Sequence, residues 1–223
     1  MLIDAGGGDV YRGAGLGKLL ANLAAVGYRP EQIDAVLLTH FHPDHTGGVL
    51  LNGKVAFPNA DIYIHKTDYD LLFGGTDEKT KAMVADITKI LTPYKEAGRI
   101  KTFDKQEELF PGITAVPTPG HTPGHTCYQI TNGRQTFFAL GDIVHVADIQ
   151  FKDPSVAIVF DADPAMAIET RKKLFASLAQ TDYLIGGAHL SFPGLGYINH
   201  LEGGKYEFIA ASYSTGEEKL LFP

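Results

Sequence analysis

The sequence has a single cysteine, fewer basic than acidic residues and no long apolar run, and each shortage excludes a class of protein. Cys127 has no second thiol to pair with, so no intrachain disulfide can form and the redox compartment stays open. Lysine and arginine number 19 against 26 aspartate and glutamate, a formal net charge of −7, which argues against a nucleic-acid groove or an anionic membrane surface as partner. No apolar run approaches the roughly 18 residues of a transmembrane helix. The compartment is left open between cytoplasm and periplasm.

The chain does contain a dense group of metal-ligand side chains, the run His-Phe-His-Pro-Asp-His at positions 40–45. A short β-branched and aliphatic run immediately before it predicts a buried strand. Side chains two apart in extended backbone share a face, so His40 and His42 point the same way. The proline turn aims Asp44 and His45 in another direction, at the start of a short helix. Crowding imidazoles with a carboxylate gains nothing structurally without a cation to share, so the loop predicts ligands for two neighbouring metal ions.

The pattern His-x-His-x-Asp-His at a strand end resembles the metallo-β-lactamase superfamily. That resemblance implies three further ligands in order: a histidine in a Gly-His-Thr-like turn, an aspartate after a strand and a final histidine. The chain has His121, Asp142 and His189 in this order. A closer resemblance, to the methyl parathion hydrolase branch, is carried by segments 39–48, 119–126, 153–156 and 189–194.

The resemblance implies a site for two divalent metal ions that share one carboxylate. The implied ligands are three for one ion (His40, His42, His121), three for the other (Asp44, His45, His189) and a bridge (Asp142). Mixed imidazole and carboxylate sites suit Zn, Fe, Mn or Co, and we expect zinc, with the others as alternatives. Two such ions would hold a bridging hydroxide at neutral pH, so hydrolysis is the expected chemistry. We assign catalytic roles to Asp142 and Asp44, which would orient the hydroxide and carry its proton.

Helices and strands alternate through the first half of the chain, with helices expected over 16–26 and 78–94 and a strand over 61–65. We expect Thr67 to cap a helix running toward Phe73. We read His65 as a residue near the site or on the surface, because the ligand set is already full.

From Ile113 onward the pattern becomes strand and turn, with a hairpin signal at Asn132-Gly133. A second clear helix is expected over 164–179, with the basic triplet 171–173 in solvent. We expect His125 to hydrogen-bond locally rather than bind metal. Two blocks that each supply ligands from one edge fit an αββα metallo-β-lactamase sandwich, a single hydrolase domain over residues 1–223.

The start of the chain predicts that this sandwich lacks its first strands. Residues 1–8 read as the end of a buried strand followed by a glycine loop, and members of the superfamily place several strands before a similar segment. An uncovered sheet edge would invite pairing. We therefore expect a missing segment or a partner chain along this edge, and a homodimer as the assembly.

The expected substrate is a small lactone, aryl ester or phosphotriester. We favour lactone or aryl ester hydrolysis with organophosphate triester hydrolysis as a second activity. A primarily methyl parathion hydrolase-type phosphotriesterase and a glyoxalase-II-like thioesterase are the alternatives. His145, a polar imidazole three residues after Asp142, suits a lactone or ester. Further pocket candidates, by similarity alone, are Tyr11, Leu72, Met83, Ile158 and Phe160.

Two different classes of protein are also considered, a metal-binding scaffold without activity and a dioxygenase-type relative that uses one iron. The complete set of seven ligand-type residues argues against both. Metal content and hydrolysis measured together would separate these classes from the hydrolase.

Overall fold

The computed structural model describes residues 1–75 and 77–212. Short strands and helices alternate in the first half of the chain. They are β1 (Leu2–Ile3), α1 (Leu19–Ala25), β2 (Ala35–Leu37), α2 (Pro43–Thr46), β3 (Leu50–Leu51), β4 (Lys54–Val55), β5 (Asp61–His65), α3 (Lys66–Phe73), α4 (Glu78–Glu96) and β6 (Ile100–Phe103).

The second half is richer in strands, as the turn signals predict. It contains β7 (Glu107–Phe110), β8 (Ile113–Pro117), β9 (Thr126–Asn132), β10 (Gln135–Ala139), α5 (Ala147–Gln150), α6 (Pro164–Leu178), β11 (Leu184–Gly186), β12 (Leu195–Leu201) and β13 (Lys205–Ala210). The hairpin predicted at Asn132-Gly133 joins β9 to β10, and Asn132 pairs with Gln135 across a two-residue loop.

The strands form two main sheets of different character. The first has the order β1-β2-β5-β6 and is parallel throughout. The second has the order β13-β12-β11-β10-β9-β8-β7, antiparallel except for the parallel pair β10 and β11. A parallel sheet is buried on both faces, which explains why β2 reads as a continuous apolar run instead of an alternating one.

Three layers of hydrophobic core separate the two sheets from each other and from the helices. On β2, Val36 packs on the helix side with α4, whereas Leu37 packs into the layer between the sheets. On β10, Phe137 faces the first sheet and Phe138 faces the layer beneath α6. Side chains alternate between the two faces of each strand, so each sheet buries both of its faces. This arrangement confirms the predicted αββα sandwich.

The strand directions bring the carboxyl ends of several strands to one edge of the sandwich. In the first sheet, β1 and β2 run parallel and end at the loops that carry Asp4 and His40. In the second sheet, β8, β10 and β11 end on the side where β9 begins, before His121, Asp142 and His189 respectively. Ligand sites of α/β sheets lie outside such carboxyl ends. All the predicted ligands therefore meet at this edge.

The predicted cap of α3 is wrong. His65, not Thr67, occupies the N-cap position with extended backbone, and the Thr67 backbone N–H donates to His65 Nδ1 at 3.2 Å. His65 is also buried rather than on the surface. Histidine is outside the usual set of capping residues, whereas threonine belongs to it, which is why sequence reasoning chose Thr67.

The expectation that the whole basic triplet faces solvent is also wrong, because Arg171 is 1% exposed. It lies on the same face of α6 as the buried Ala167 and Phe175, four residues to either side. Its guanidinium donates to the carbonyls of Ile143 (2.7 Å) and Val156 (2.8 Å), and a third bond reaches the Pro154 carbonyl. These bonds explain how a buried charge is tolerated.

Within the described residues, β1 forms one edge of the first sheet and pairs with β2. The expected partner segment and homodimer stay predictions. Among residues 1–75 and 77–212, none of the helices has the length and apolar character that crossing a membrane requires.

Candidate metal centre

The loop between β2 and α2 is shaped as the sequence predicts, with α2 beginning at Pro43. The His42 carbonyl accepts from the backbone N–H of His45 at 3.0 Å, which closes the turn. The far end of this loop packs directly on the chain that follows β1. A Cβ on Gly48 would lie 1.9 Å from the Ala5 carbonyl oxygen, so only glycine fits there.

The first group of ligand-type side chains comprises His40, His42, His121 and Asp142, whose nitrogen and oxygen atoms all lie within 4.8 Å of one another. His42 Nδ1 is 3.0 Å from His40 Nε2 and 2.9 Å from His121 Nε2. Metal–nitrogen bonds of about 2.0–2.1 Å place neighbouring ligands of a tetrahedral zinc roughly 3.3 Å apart. The spacing of these nitrogens therefore fits a single cation.

The second group comprises Asp44, His45, Asp142 and His189, within the same 4.8 Å limit. His45 Nε2 is 3.1 Å from Asp142 Oδ1 and 3.4 Å from Asp44 Oδ2. His189 Nε2 is 3.2 Å from Asp142 Oδ2 and 3.5 Å from Asp44 Oδ2. The side chains of Asp44 and His189 are about one third exposed, at 35% and 36%, so this group faces the open side of the site.

Asp142 belongs to both groups and is 2% exposed. Its Oδ1 atom is buried and has no hydrogen bond of good geometry, although His45 Nε2 is 3.1 Å away. Burial opposes ionisation, but hydrogen bonds from the rings of His121, His145 and His189 hold the pKa of this carboxyl well below its usual range. An ionised, buried carboxylate with an unsatisfied oxygen between two groups of imidazoles fits a ligand shared by two cations.

The protonation of two of the histidines, His40 and His42, also fits cation binding. Burial, reinforced by His45, holds the pKa of His40 well below its usual value of 6.5, and burial with His121 lowers the pKa of His42 to about 4. Both rings are therefore neutral at pH 7, the form whose lone pair binds metal.

His45 behaves in the opposite way. Burial opposes its protonation, yet the carboxylates of Asp4, Asp142 and Asp44 raise the pKa of His45 to about 12. A ring surrounded by this much negative charge attracts a proton, and the same charge would attract a divalent cation more strongly.

Asp4 supports the candidate ligands from the loop after β1. Its carboxylate contacts His45 Nδ1 at 2.7 Å and accepts from the backbone N–H and hydroxyl of Thr39, at 2.7 and 2.9 Å. This contact leaves the other nitrogen of His45, Nε2, turned toward Asp142. Hydrogen bonds of this kind orient metal-binding imidazoles.

Two further carboxylates hold the turn that carries His121, and sequence reasoning did not find either. Asp161 contacts His121 Nδ1 at 3.0 Å. Asp68, on α3, accepts from the Thr122 hydroxyl (2.8 Å) and the Gly124 backbone N–H (2.6 Å). Asp161 lies in a loop before a helix and Asp68 in the first turn of another, so their sequence positions carry no signal of this role.

His125 hydrogen-bonds locally, as predicted. Its ring is fully buried; Nε2 accepts from the Asp142 backbone N–H at 3.0 Å, and Nδ1 lies 2.9 Å from the Thr118 hydroxyl. It supports the loop of Asp142 from behind and belongs to neither group of ligand-type residues.

A cavity of about 650 Å³ opens over both groups. Four of the predicted pocket residues line it: Tyr11, His145, Ile158 and Phe160. Leu16, Pro43 and Val146 complete the wall of the cavity. The floor of the cavity is formed by the ligand-type residues His42, Asp44, His121, Asp142 and His189. The wall is largely aliphatic and aromatic, and the floor is polar.

The other two predicted pocket residues are elsewhere. Leu72 is 7% exposed and packs in the core between the first sheet and its helices, and Met83 is 67% exposed on α4. The residues of α4 that face the core are Val84, Ile90, Leu91 and Tyr94, and Met83 lies outside this face. The placement of Leu72 and Met83 in the pocket is therefore wrong.

His145 lies at the junction of floor and wall. Its Nε2 is 2.9 Å from Asp142 Oδ2, and its ring stacks on that of His189 with centroids 4.8 Å apart. The His145 backbone N–H donates to the buried Gln150 side chain at 2.7 Å, which fixes the loop. The other ring nitrogen, Nδ1, is buried without a hydrogen-bond partner.

Comparison with known proteins shows the family to which the chain belongs. The family model of the metallo-beta-lactamase superfamily matches residues 1–189, which include all seven ligand-type residues. The chain belongs to the metallo-beta-lactamase superfamily. The curated proteins to which it is similar include an N-acyl homoserine lactonase of Bacillus cereus, 26% identical over 156 residues. That match covers 70% of this chain and 56% of the relative, so the chain spans little more than half the length of the curated lactonase.

Two solved structures of superfamily members resemble nearly the whole chain. The hydrolase AbOPH is 36% identical with a TM-score of 0.86, over 96% of this chain and 76% of that one. AidC, described as a dizinc quorum-quenching lactonase in complex with a product, is 29% identical with the same TM-score and coverage.

Proposed function

We propose that this chain forms the catalytic part of a dinuclear metal-dependent hydrolase that opens lactones, N-acyl homoserine lactones among them. The observation that carries the proposal is the meeting of two ligand-type groups at one shared carboxylate, Asp142, on the floor of an apolar cavity. The similarity to curated N-acyl homoserine lactonases and to the dizinc lactonase AidC supports it.

One cation would be held by His40, His42 and His121, and the other by Asp44, His45 and His189, with Asp142 shared. We expect zinc, because imidazole and carboxylate donors suit it and AidC is described as a dizinc enzyme. Two divalent cations at such a site supply a water of lowered pKa and polarise the carbonyl of the substrate.

The protein's own residues would bind and orient the substrate. The cavity, at about 650 Å³, lies within the usual range of roughly 300–1,000 Å³ for small-molecule sites. Its wall of Leu16, Ile158 and Phe160 suits an acyl chain, and a lactone ring would lie on the polar floor beside Asp142. An acyl chain packed on this wall would exclude water from the reacting carbonyl, which would strengthen the charge interactions there.

Asp44 and His145 would handle the polar groups of the reaction. Burial opposes ionisation of Asp44, but its contact with His45 lowers the pKa of the Asp44 carboxyl, so Oδ2 can accept a proton at neutral pH. His145 lines the cavity, and its buried Nδ1 atom, an acceptor when Nε2–H donates to Asp142, has no hydrogen-bond partner among the described residues. The amide N–H of an N-acyl homoserine lactone is a donor of the kind that this atom lacks.

Phosphotriester hydrolysis is the second candidate activity. The largely aliphatic and aromatic wall, with Tyr11 and Phe160, would also accept an aryl phosphotriester. We place it second because His145 adds a polar group that such a substrate does not require.

The test combines metal analysis with hydrolysis. Purified protein is expected to contain two metal ions per chain and to hydrolyse N-acyl homoserine lactones, with loss of activity on chelation and recovery on adding zinc. His121→Ala is expected to lose metal and activity together. His200→Ala removes an exposed histidine of β12 outside both groups and serves as the matched control. A fully loaded protein that hydrolyses neither lactones nor phosphotriesters would contradict the proposal, and a single iron per chain would favour dioxygenase chemistry.

His145→Leu separates the two candidate substrates. Leucine keeps the volume but removes the polar atoms, so the ratio of kcat/KM for dihydrocoumarin to that for a methyl aryl phosphotriester is expected to fall. A wild type that turns over only the phosphotriester would reverse the order of the two activities.

A further inference from the structure

We propose that Asp161 is a positioning residue that aims His121 at the metal centre and fixes the adjoining wall of the cavity through the same carboxylate. The inference rests on the proposed function in that His121 is taken as a metal ligand. It assigns a role to Asp161, a residue that neither the sequence pattern nor the family relationship singled out.

The Asp161 side chain is fully buried and uses both of its oxygens. Oδ1 lies 3.0 Å from His121 Nδ1, and Oδ2 accepts from the Ile158 backbone N–H at 3.0 Å. An ionised carboxylate can only accept hydrogen bonds, so in the neutral form of the His121 ring, the form that binds metal, the proton lies on Nδ1. The lone pair of Nε2 is then free on the side that faces His42 and Asp142.

The main chain around Asp161 holds the turn of His121 as well. The Ala162 backbone N–H donates to the His121 carbonyl at 3.0 Å, and the Asp163 N–H donates to the Gly120 carbonyl at 2.9 Å. A Cβ on Gly120 would lie 2.3 Å from the Ala167 nitrogen at the start of α6, so the turn has no room to shift. The ring and the backbone of His121 are therefore held by one segment.

That segment is also the cavity wall. Ile158 and Phe160 line the cavity over the metal centre, and Asp161 closes the short turn between them and the His121 loop. The Asp161 N–H donates back to the Ile158 carbonyl at 3.1 Å, so the turn is fastened at both ends. A change at Asp161 should thus alter metal binding and substrate binding together.

Two variants and a matched control isolate this role. Asp161→Ala removes both acceptors and is expected to weaken the binding of one of two zinc ions by about 10- to 100-fold, as loss of a partner behind a ligating histidine does. Asp161→Asn keeps one acceptor oxygen for His121 but cannot accept from the Ile158 N–H as well. Its zinc affinity should therefore lie between those of the wild type and Asp161→Ala. Asp163→Ala removes an exposed carboxylate two residues away, which caps α6 and contacts Met166 N, not His121. It should lower the thermal midpoint and leave zinc affinity unchanged.

The measurements are competition titration of zinc against a chromophoric chelator and ¹H–¹⁵N NMR of the histidine rings. In the zinc-loaded wild type, the Nδ1–H of His121 should be held by Asp161 and exchange slowly with water, and Asp161→Ala should speed this exchange. Zinc affinity equal to the wild type in Asp161→Ala, or an Nδ1–H of His121 that exchanges equally fast in the two proteins, would overturn the inference.

The outcomes also distinguish this inference from the proposed function. A wild type that binds two zinc ions and hydrolyses no lactone would remove the proposed function and leave the role of Asp161 in zinc affinity standing. If the wild type hydrolyses lactones and Asp161→Ala leaves zinc affinity and KM unchanged, the proposed function would stand and the role of Asp161 would be removed.

Discussion

The two halves of the molecule bring ligand-type side chains to the same place in different ways. In the first half, the four candidates at positions 40–45 come from one loop, where a strand end and a single helical turn set their directions. In the second half, His121, Asp142 and His189 come from three loops that follow β8, β10 and β11. The first set is assembled by local backbone geometry. The set from the second half comes together only if the strands pair in the right register and if contacts elsewhere in the fold hold the three loops in place.

The supporting contacts differ accordingly. The first loop is held by Asp4, from the strand next to β2. The loops of the second half are held by residues far along the chain, among them Asp68, Asp161 and Arg171. We therefore expect changes at these distant residues to act on the second half of the centre more than on the first.

The largest effect is expected where the two halves share a ligand. Asp142→Asn removes the charge common to both groups, so both metal ions should bind more weakly and kcat/KM should fall by more than the roughly 10- to 100-fold that loss of an outer partner produces. Asp148→Asn, an exposed position on α5, is the control. Metal content and lactone hydrolysis measured together check this, and an active Asp142→Asn protein with two metals would contradict it.

Arg171→Met is expected to destabilise the second half strongly. It leaves the carbonyls of Ile143 and Pro154 without their buried donor, at about 1–3 kcal/mol for each, whereas the Val156 carbonyl keeps the Gln150 side chain as a donor. We therefore expect a loss of about 4 kcal/mol in the free energy of unfolding. Lys172→Met, at the exposed neighbouring position, should change it by less than about 0.5 kcal/mol. Urea unfolding checks both, and equal effects would show that the buried guanidinium is not needed to hold these loops.

Asp68 joins the two halves and should make stability depend on pH. Burial raises the pKa of Asp68 from 3.8 to about 7, although Thr122 and Gly124 hydrogen bonds oppose the change. The folded protein keeps a proton there that the unfolded chain releases above about pH 4, so this group lowers stability as the pH rises from about 4 to about 7. The difference amounts to at most about 4 kcal/mol.

Asp68→Asn is expected to remove this part of the pH dependence. Asp70→Asn, an exposed position on the same helix that pairs with Lys66, is the control and should leave it in place. The free energy of unfolding at about pH 4.5 and about pH 7.5 gives the comparison. An unchanged slope in Asp68→Asn would mean that this carboxyl is ionised in the folded protein throughout the range.

The smallest effect is expected at the cavity rim. Phe160→Ala should raise KM for long-chain lactones by several-fold, about 1 kcal/mol of apolar contact, with little change in kcat. Met83→Ala, on the exposed surface of α4, should leave both constants unchanged. Kinetics over a series of acyl chain lengths check this pair, and a larger effect at Met83 would restore α4 as part of the pocket.

The sequence allowed the fold to be predicted because its periodicity is clear in both halves. The apolar run before His40, the hairpin signal at Asn132 and the helix after Pro164 each appear close to their expected bounds. The errors have a common cause. Leu72, Met83 and Arg171 lie on helices, where spacing defines a face but not what that face packs against.

The sequence by itself determined the local chemistry of this protein: the crowding of imidazoles and a carboxylate at positions 40–45 and the strand ends that carry the later candidates. Only the tertiary structure decided which carboxylates support them, which side chains line the cavity and which charge is buried. The physical reason is how far apart in the sequence the interacting residues lie. A strand end and one helical turn are fixed by neighbouring residues, whereas the contact of Asp161 with His121, or of Arg171 with Ile143, depends on the packing of elements far apart in the chain.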